Sequence, residues 1–372
     1  MVAIEENVIA QVMELRHELH MHPELSMQEI NTRRTLISFL RKNTTAKIYD
    51  NGDAFCCVFG ENLTGIPVGF RADIDALQIE EDETLPYHST NPGASHKCGH
   101  DGHAACLCGL ALHLQANPVK HPVWLIFEPG EEIGAGGKIC AEMMKKHGIQ
   151  EVYAFHNLEG YPENSIVIQK GLTQPASVGL RIIFQGKSSH AGSPEEGSNP
   201  AAVIARTLLY AQETARRAST GMVMCCIVGV RIGNGDFGIN PGDGELLMTL
   251  RAEYENEMNA HKKDIIRFAN EQASAAGITV SYQESDYFPE TRNTELGYDR
   301  VRSAAEKSGK KFIEMNDIWR ASEDFGYYTR LADGAIFYIG TGEKRAPLHT
   351  KDYDFNDRII KTAIEMFYQI AL

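Results

Sequence analysis

The stretch VWLIFEPGEE, residues 123–132, sets five apolar residues directly before a strand-ending acid, a Pro-Gly turn and two adjacent carboxylates. An apolar run this short, closed by Pro129 and Gly130, suits a strand buried on both faces of a sheet covered by helices. In such sheets ligands gather beyond the carboxyl ends of the strands, which is where Glu131 and Glu132 fall. Adjacent side chains in non-helical backbone point different ways, so one carboxylate can hold a cation while its neighbour faces a substrate. The same two acids also suit a helix N-terminus, where the macrodipole favours negative charge, and the pair alone leaves both readings open.

Working outward, residues 1–174 alternate helical segments with further apolar runs such as Pro67–Phe70. From about residue 175 the pattern changes. Val178, Leu180, Ile182 and Phe184 alternate with other residues, as a half-buried strand requires. A helix is predicted from Ser198, with Ser198 as N-cap, Pro200 in the first turn and Val203, Ile204, Leu208 and Ala211 on one side. Strands at Met222–Ile232 and Glu245–Tyr254 follow, then a helix with Met258, Ile265, Phe268 and Ala269 inward, then the alternating strand Ile278, Val280, Tyr282. The order β-α-β-β-α-β is the ferredoxin-like split unit. After residue 287 the first style returns, with helices near Val301 and over Ser322–Leu331, the apolar strand Ala335–Gly340 and a closing helix. The predicted architecture is an α/β domain of residues 1–174 and 288–372, interrupted by an α+β insert of residues 175–287. Three consecutive domains are the alternative, but the last stretch, about 85 residues, is thin for an independent core.

A chain of 372 residues is long enough for two domains. Hydrophobic residues at 43% and charged residues at 23% are ordinary globular usage, which excludes disordered and fibrous classes. A net charge of -14 with no Lys/Arg-rich run argues against a nucleic-acid partner. The opening residues carry acids and lack the pattern of an export signal, and no apolar run approaches the roughly 18 to 20 residues that span a bilayer. The eight cysteines include adjacent pairs, Cys56/Cys57 and Cys225/Cys226, that read as packed strand residues. A soluble protein of a reducing cytoplasm, without a membrane partner, is expected.

The densest chemical signal is CGHDGH, Cys98–His103, between a loop rich in Gly, Asn and Pro and the apolar helix Ala104–Leu114. Thiolate and imidazole are both good ligands for borderline divalent ions, and Gly99 lets the backbone bend so that Cys98 and His100 converge. Otherwise Cys98 is a buried thiol and His100, Asp101 and His103 cap the helix. His156, after the apolar stretch Val152–Phe155, and His349, after the strand AIFYIG, each fall at a predicted strand exit. A lone histidine there is more often structural, but four strand-end clusters together favour a metal site. One Glu of the 131/132 pair then stabilises the cation and the other takes a proton from water acidified by it. In RADID, residues 71–75, Asp73 or Asp75 can orient a ligand histidine through its second ring nitrogen, or form a structural pair. His17, His20, His22, His88, His96, His113, His121 and His147 lack comparable company and are assigned no function.

These residues resemble the M20 family of metallopeptidases and aminoacylases, in the amidohydrolase branch that includes indole-acetyl-amino-acid hydrolases and N-acyl-diaminopimelate deacetylases. The resemblance runs through RHELHMHPELSMQE, RADIDAL, CGHDGH, FEPGEE, FHN, SSHAGSP, SEDFGYY and PLHT. It implies a zinc-exopeptidase-like α/β/α catalytic domain, with the insert as a lid and dimerisation domain. It implies that Cys98, His100, Glu132, His156 and His349 bind two divalent ions and that Glu131 is the general base. By the same resemblance, His190 reaches the partner subunit's site to polarise the scissile carbonyl, and Arg251 looks like the binder of a substrate carboxylate. Otherwise Arg251 is a surface strand charge and His190 a loop histidine. This chain departs from the branch in having Gly130 and Lys97 where alanines are usual. The familiar Asn-Val-Ile-Pro segment is here GINPGDG, so its Asn falls at Gly238 unless Asn240 substitutes through a shift of register.

The expected reaction is hydrolysis of the amide of a small N-acyl amino acid or amino-acid conjugate by water activated between two ions, which the donor set allows to be zinc, manganese, cobalt or nickel. A homodimer or dimer-based oligomer is expected. One alternative is a dipeptidase or aminopeptidase of the same family acting on a short peptide, with Asp75, Glu323 or Asp324 receiving the substrate ammonium. The other is a non-catalytic binding or assembly relative, against which stands the presence of every ligand and of the base.

Overall fold

The computed structural model describes residues 3–82, 84–217 and 219–372. The chain forms two compact units. The larger comprises Met1–Thr173, Thr291–Trp319 and Glu323–Leu372, and the smaller Gln174–Glu290 with Arg320–Ser322.

The larger unit begins with α1 (Glu6–Met21), α2 (Ile30–Asn43), β1 (Lys47–Asp50), β2 (Phe55–Phe59) and β3 (Val68–Asp73). Then come α3 (His100–Ala116), β4 (Val123–Glu128), α4 (Gly136–Lys146), β5 (Glu151–Leu158), β6 (Ile166–Ile168) and β7 (Leu172–Gln174). The smaller unit holds β8 (Ala176–Gln185), β9 (Ser189–His190), α5 (Ala201–Ala215), β10 (Val223–Ile232), β11 (Ile239–Asn240), β12 (Asp243–Ala252), α6 (Glu255–Ala275) and β13 (Thr279–Phe288). The chain returns through β14 (Thr291–Arg292), α7 (Glu295–Lys307), β15 (Phe312–Glu314), α8 (Gly326–Thr329), β16 (Asp333–Gly340) and α9 (Ile360–Ile370). The fold is mixed α/β, as the sequence predicts. Among the described residues, no helix is long and apolar enough to cross a membrane.

The eight strands of the large sheet lie in the order β1-β2-β4-β3-β5-β16-β6-β15. Its middle four, β4, β3, β5 and β16, are mutually parallel neighbours. Every residue of β3, β4 and β5 is buried, so these apolar runs are covered on both faces, as a parallel sheet requires. Helix α3 is buried along most of its length and packs in the same core as α1 and α9. The consequence for function is geometric. Four parallel strands side by side bring their carboxyl ends to one edge, and the loops that leave that edge carry Asp75, Glu131, Glu132 and His349.

The predicted helix over Ser322–Leu331 is reduced to the single turn Gly326–Thr329. Glu323 accepts from the Phe325 amide at 3.1 Å, and Asp324 accepts from the Gly137 amide at 2.7 Å, so these side chains hold the backbone in a bent lead-in.

In the smaller unit the sheet order is β10-β12-β8-β13, all antiparallel, which is the strand order of the ferredoxin-like unit. Val178, Leu180, Ile182 and Phe184 are buried against residues of α5 and α6, while Arg181 between them and Gln185 after them are exposed. Helix α5 starts later than the sequence suggests. The Ser198 amide is still engaged with the Lys187 carbonyl at 2.7 Å, so the first side chain able to cap is Asn199, whose Oδ1 accepts from the Ala201 amide at 2.9 Å. Cys56 and Cys57 are packed strand residues, whereas Cys226 points out of β10 and is exposed.

Candidate metal centre

The turn that opens α3 is built on two glycines. Gly99 has φ 95°, and a Cβ there would lie 2.4 Å from Asn157 Oδ1 and 2.6 Å from the Tyr353 hydroxyl. A Cβ on Gly102 would lie 2.4 Å from the Phe355 ring. Only glycine allows α3 to start this close to β5 and the 349–355 segment, and the left-handed step at Gly99 sends Cys98 and His100 toward the same point. No side chain caps this helix, so the capping role considered for His100, Asp101 and His103 is not what these residues do.

His156 lies inside β5 rather than after it, two residues from the strand end. Its Nδ1 donates to the Asn157 carbonyl at 2.8 Å, which leaves Nε2 facing Cys98 Sγ at 3.4 Å. From the other side His349 Nε2 approaches the same sulfur at 3.4 Å and Glu132 Oε2 at 3.7 Å. His100 Nε2 lies 3.8 Å from Glu132 Oε1 and 3.9 Å from Glu131 Oε2. Among the donor triads that result, Cys98–His100–His156 and Cys98–Glu132–His349 share the sulfur, and His100–Glu131–Glu132 links them.

These residues fit a pair of divalent ions. Zn–S and Zn–N bonds of about 2.3 and 2.0 Å at a tetrahedral angle separate the donors by about 3.5 Å, close to the spacing around Cys98. His100 Nε2 and Glu132 Oε1 are buried without a hydrogen-bond partner, which a native structure tolerates where a cation supplies the missing partner.

A ring of partners aims these donors. Asp75 Oδ1 accepts from His100 Nδ1 at 3.0 Å, while its Oδ2 accepts from the Glu132 amide at 3.0 Å and the Ser26 hydroxyl at 2.7 Å. One carboxylate thus touches both donor sets. Asp73 Oδ1 instead takes His103 Nδ1 at 2.6 Å, and His103 Nε2 meets Asn157 Oδ1 at 2.6 Å. His103 spends both nitrogens on this bridge. The sequence offered its signal, since His100 and His103 stand three apart on one helical face.

Behind the centre lies a buried ion cluster that the sequence did not announce. Arg71 donates to Glu128 at 2.8 and 3.1 Å, to Asp73 at 2.7 Å, to Glu323 at 3.0 Å and to Asp324 at 3.1 Å. One guanidinium faces four carboxylates. Burial, with Glu128 beside it, pushes Asp324 well above the usual carboxylate range.

The same physics tunes the donors. Burial, with Glu132 and Glu131 near, pushes the Cys98 thiol well above its ordinary value. Burial opposes charge on His100, but Asp73 and the hydrogen bond to Asp75 outweigh it and raise the imidazole to about 10. Burial and His103 hold His156 well below the usual range, and burial also lowers His349. Glu132 is raised to about 7 by burial, against the pull of His100. Glu131 is raised well above the ordinary value by burial, then by Glu323 and Glu132. An acid-rich pocket that raises its own carboxyls is one that a pair of dications relieves.

Three predicted residues lie in the smaller unit. His190 is exposed on β9 and pairs with Ile239 of β11. Asn240 is buried, donating to Ser189 Oγ at 3.0 Å and the Pro194 carbonyl at 3.2 Å and accepting from Asn199 at 2.8 Å, so its amide is engaged within the unit. Arg251 donates to the Arg320 carbonyl.

A mixed α/β sheet whose parallel strands run toward a cluster of thiol, imidazole and carboxylate donors is the frame of a metallohydrolase. The chain belongs to peptidase family M20/M25/M40, whose family model matches residues 69–372. It is 30% identical over 342 residues to N-acetyl-L-cysteine deacetylase of Bacillus subtilis, covering 89% of this chain and 80% of that one. It is 26% identical over 381 residues to hippurate hydrolase of Campylobacter jejuni, covering 98% and 99%. Among solved structures, a dinuclear metal-binding peptidase of family M20 from Bacillus subtilis has a TM-score of 0.82 at 24% identity, covering 99% of this chain and 98% of that one, and shares the fold.

Proposed function

We propose that this protein is a two-metal amidohydrolase that cleaves the amide of a small N-acyl amino acid or amino-acid conjugate. The observation that carries the reading is the pair of donor sets sharing Cys98, with Glu131 beside them. Cys98, His100 and His156 hold one ion, and Cys98, Glu132 and His349 the other, with zinc, manganese, cobalt or nickel all compatible with the donors. When bound, the ions acidify water and polarise a carbonyl.

Glu131 takes the proton of the attacking water and passes it to the departing amine nitrogen. It is suited to this because it is buried and three neighbouring acids set its proton affinity. Asp75 fixes the ring of His100 and the backbone of Glu132. The smaller unit serves as lid and dimerisation domain. There His190 of one copy meets the substrate carbonyl in another, and Arg251 receives the substrate carboxylate. Asn240 is assigned no substrate contact, since its amide is already engaged. A cytoplasmic homodimer or dimer-based oligomer completes the reading.

The aminopeptidase alternative needs an acid free for a substrate ammonium. The three candidates are spent: Asp75 on Ser26, His100 and the Glu132 amide, and Glu323 and Asp324 on Arg71. These engagements favour an acylated amine, as do the substrates named for the deacetylase and hippurate hydrolase relatives. The test is metal content of protein purified without chelator, paired with amine release from N-acyl amino acids and dipeptides. Chelator-sensitive release from the acylated panel is expected. Release from dipeptides alone would overturn the substrate, and inert metal-replete protein would overturn the hydrolase.

A further inference from the structure

Lys97 is 1% exposed, an ammonium held in the interior immediately before Cys98. Its Nζ pairs with Glu81 and donates to the Tyr353 carbonyl at 2.7 Å. Its own carbonyl accepts from the His349 amide at 2.8 Å. Lys97 therefore grips the His349 segment at two points, one at the histidine and one four residues on. That segment needs holding. His349 has φ 62°, a backbone region that side-chain-bearing residues rarely adopt, and its imidazole is 50% exposed. The other side of the grip is firm: Glu81 also accepts from His20 Nε2 at 2.9 Å and the Ser89 amide at 2.7 Å, and His20 Nδ1 donates to Asp101 at 2.7 Å. A buried ammonium is retained only where it is paired and hydrogen-bonded, and here its bonds run to the 81–89 loop and the His349 loop.

We propose that Lys97 is a positioning residue for His349, setting the affinity of the second ion more than that of the first. The inference rests on the two-metal reading above. Glu132 and His349 complete the second donor set, and only His349 comes from a loop that Lys97 clamps. His100 and His156 are carried on α3 and β5, whose core packing holds them, and the clamped segment reaches them only indirectly, where Tyr353 accepts from Asn157 Nδ2 at 2.7 Å.

The test is titration of metal-depleted full-length protein with Co²⁺ alone, following the sulfur-to-cobalt charge-transfer band and the d–d bands. For Lys97→Met the first equivalent should bind as in the unsubstituted protein and the second about 10- to 100-fold more weakly, the range for residues that orient a metal ligand. In a His349→Ala background Lys97→Met should add no further weakening, which a general loss of stability would not produce. Should Lys97→Met not fold, Lys97→Met/Glu81→Gln removes both charges of the pair and still lacks the bond to Tyr353, so the same second-site weakening is expected. Binding of both equivalents as in the unsubstituted protein, or equal weakening of both, would overturn the role of Lys97. Failure of the unsubstituted protein to take up a second Co²⁺, or undiminished second-site binding in His349→Ala, would overturn the two-metal reading instead.

Discussion

The two donor sets around Cys98 are made from different material. His100 and His156 sit on a helix and a strand, both fully packed, with side chains fixed through their second ring nitrogens by Asp75 and a backbone carbonyl. Glu132 and His349 sit on a single 3-10 turn and on a loop, and the His349 side chain is 50% exposed where that of His100 is 0%. One set is carried on packed elements of the core, and the other on a turn and on a loop held through Lys97. The difference teaches that one site can combine donors locked in the interior with donors that solvent reaches.

The comparison can be broken most severely at the shared atom. Cys98→Ser should remove both ions and all turnover, read by metal analysis of dialysed protein; retention of one tightly held ion would mean that the sets are independent. Glu131→Gln should keep both ions and lose roughly 10²- to 10⁴-fold in kcat, the scale of general acid–base catalysis, so it separates doing from holding. Asp75→Asn touches both sets at once and should weaken both ions about 10- to 100-fold, where a change confined to the first would place the Glu132 amide outside its influence.

The two sets also differ in protons. At neutral pH the first set carries a protonated His100, with its raised value of about 10, and a protonated Cys98, while His156 is neutral. Filling it should release more protons than filling the second, where Glu132, raised by burial, is the donor that titrates. Since acid favours the protonated forms, affinity for both ions should fall as pH drops from 8 to 6. Calorimetry in buffers of differing ionisation enthalpy reads the two counts, and equal counts would erase the contrast.

Much of this was legible in local pattern. The run VWLIF, the alternation at Val178–Phe184 and the glycines of CGHDGH each report their surroundings within a few residues, and the buried strand, the half-buried strand and the tight helix start all follow. Contacts between distant residues were not legible. His20 read as a helix histidine without company, yet it bonds Asp101, 81 residues away. Lys97 looked like a stray departure until Glu81 and Tyr353 closed around it. The Ser198 cap and the Ser322–Leu331 helix failed for the same reason: a bridge to Lys187 and bonds to Arg71 and Gly137 overrode local preference. The contacts of Asn240 across β9 and at Pro194 are likewise invisible in local pattern.

Strand β16 lies between β5 and β6, paired Asp333 to Glu151 on one side and Tyr338 to Val167 on the other. As the chain leaves the ribosome, β5 and β6 emerge long before the strand that separates them, and everything from β8 to β13 is made in between. The smaller unit has its whole sequence available while the large sheet still lacks the strand between β5 and β6, and His349 arrives later still. Newly made protein therefore stays inactive until synthesis has passed His349. In that interval the edges of β5 and β6 lack the strand that will pair with both, and unpaired edges are where wrong pairing begins.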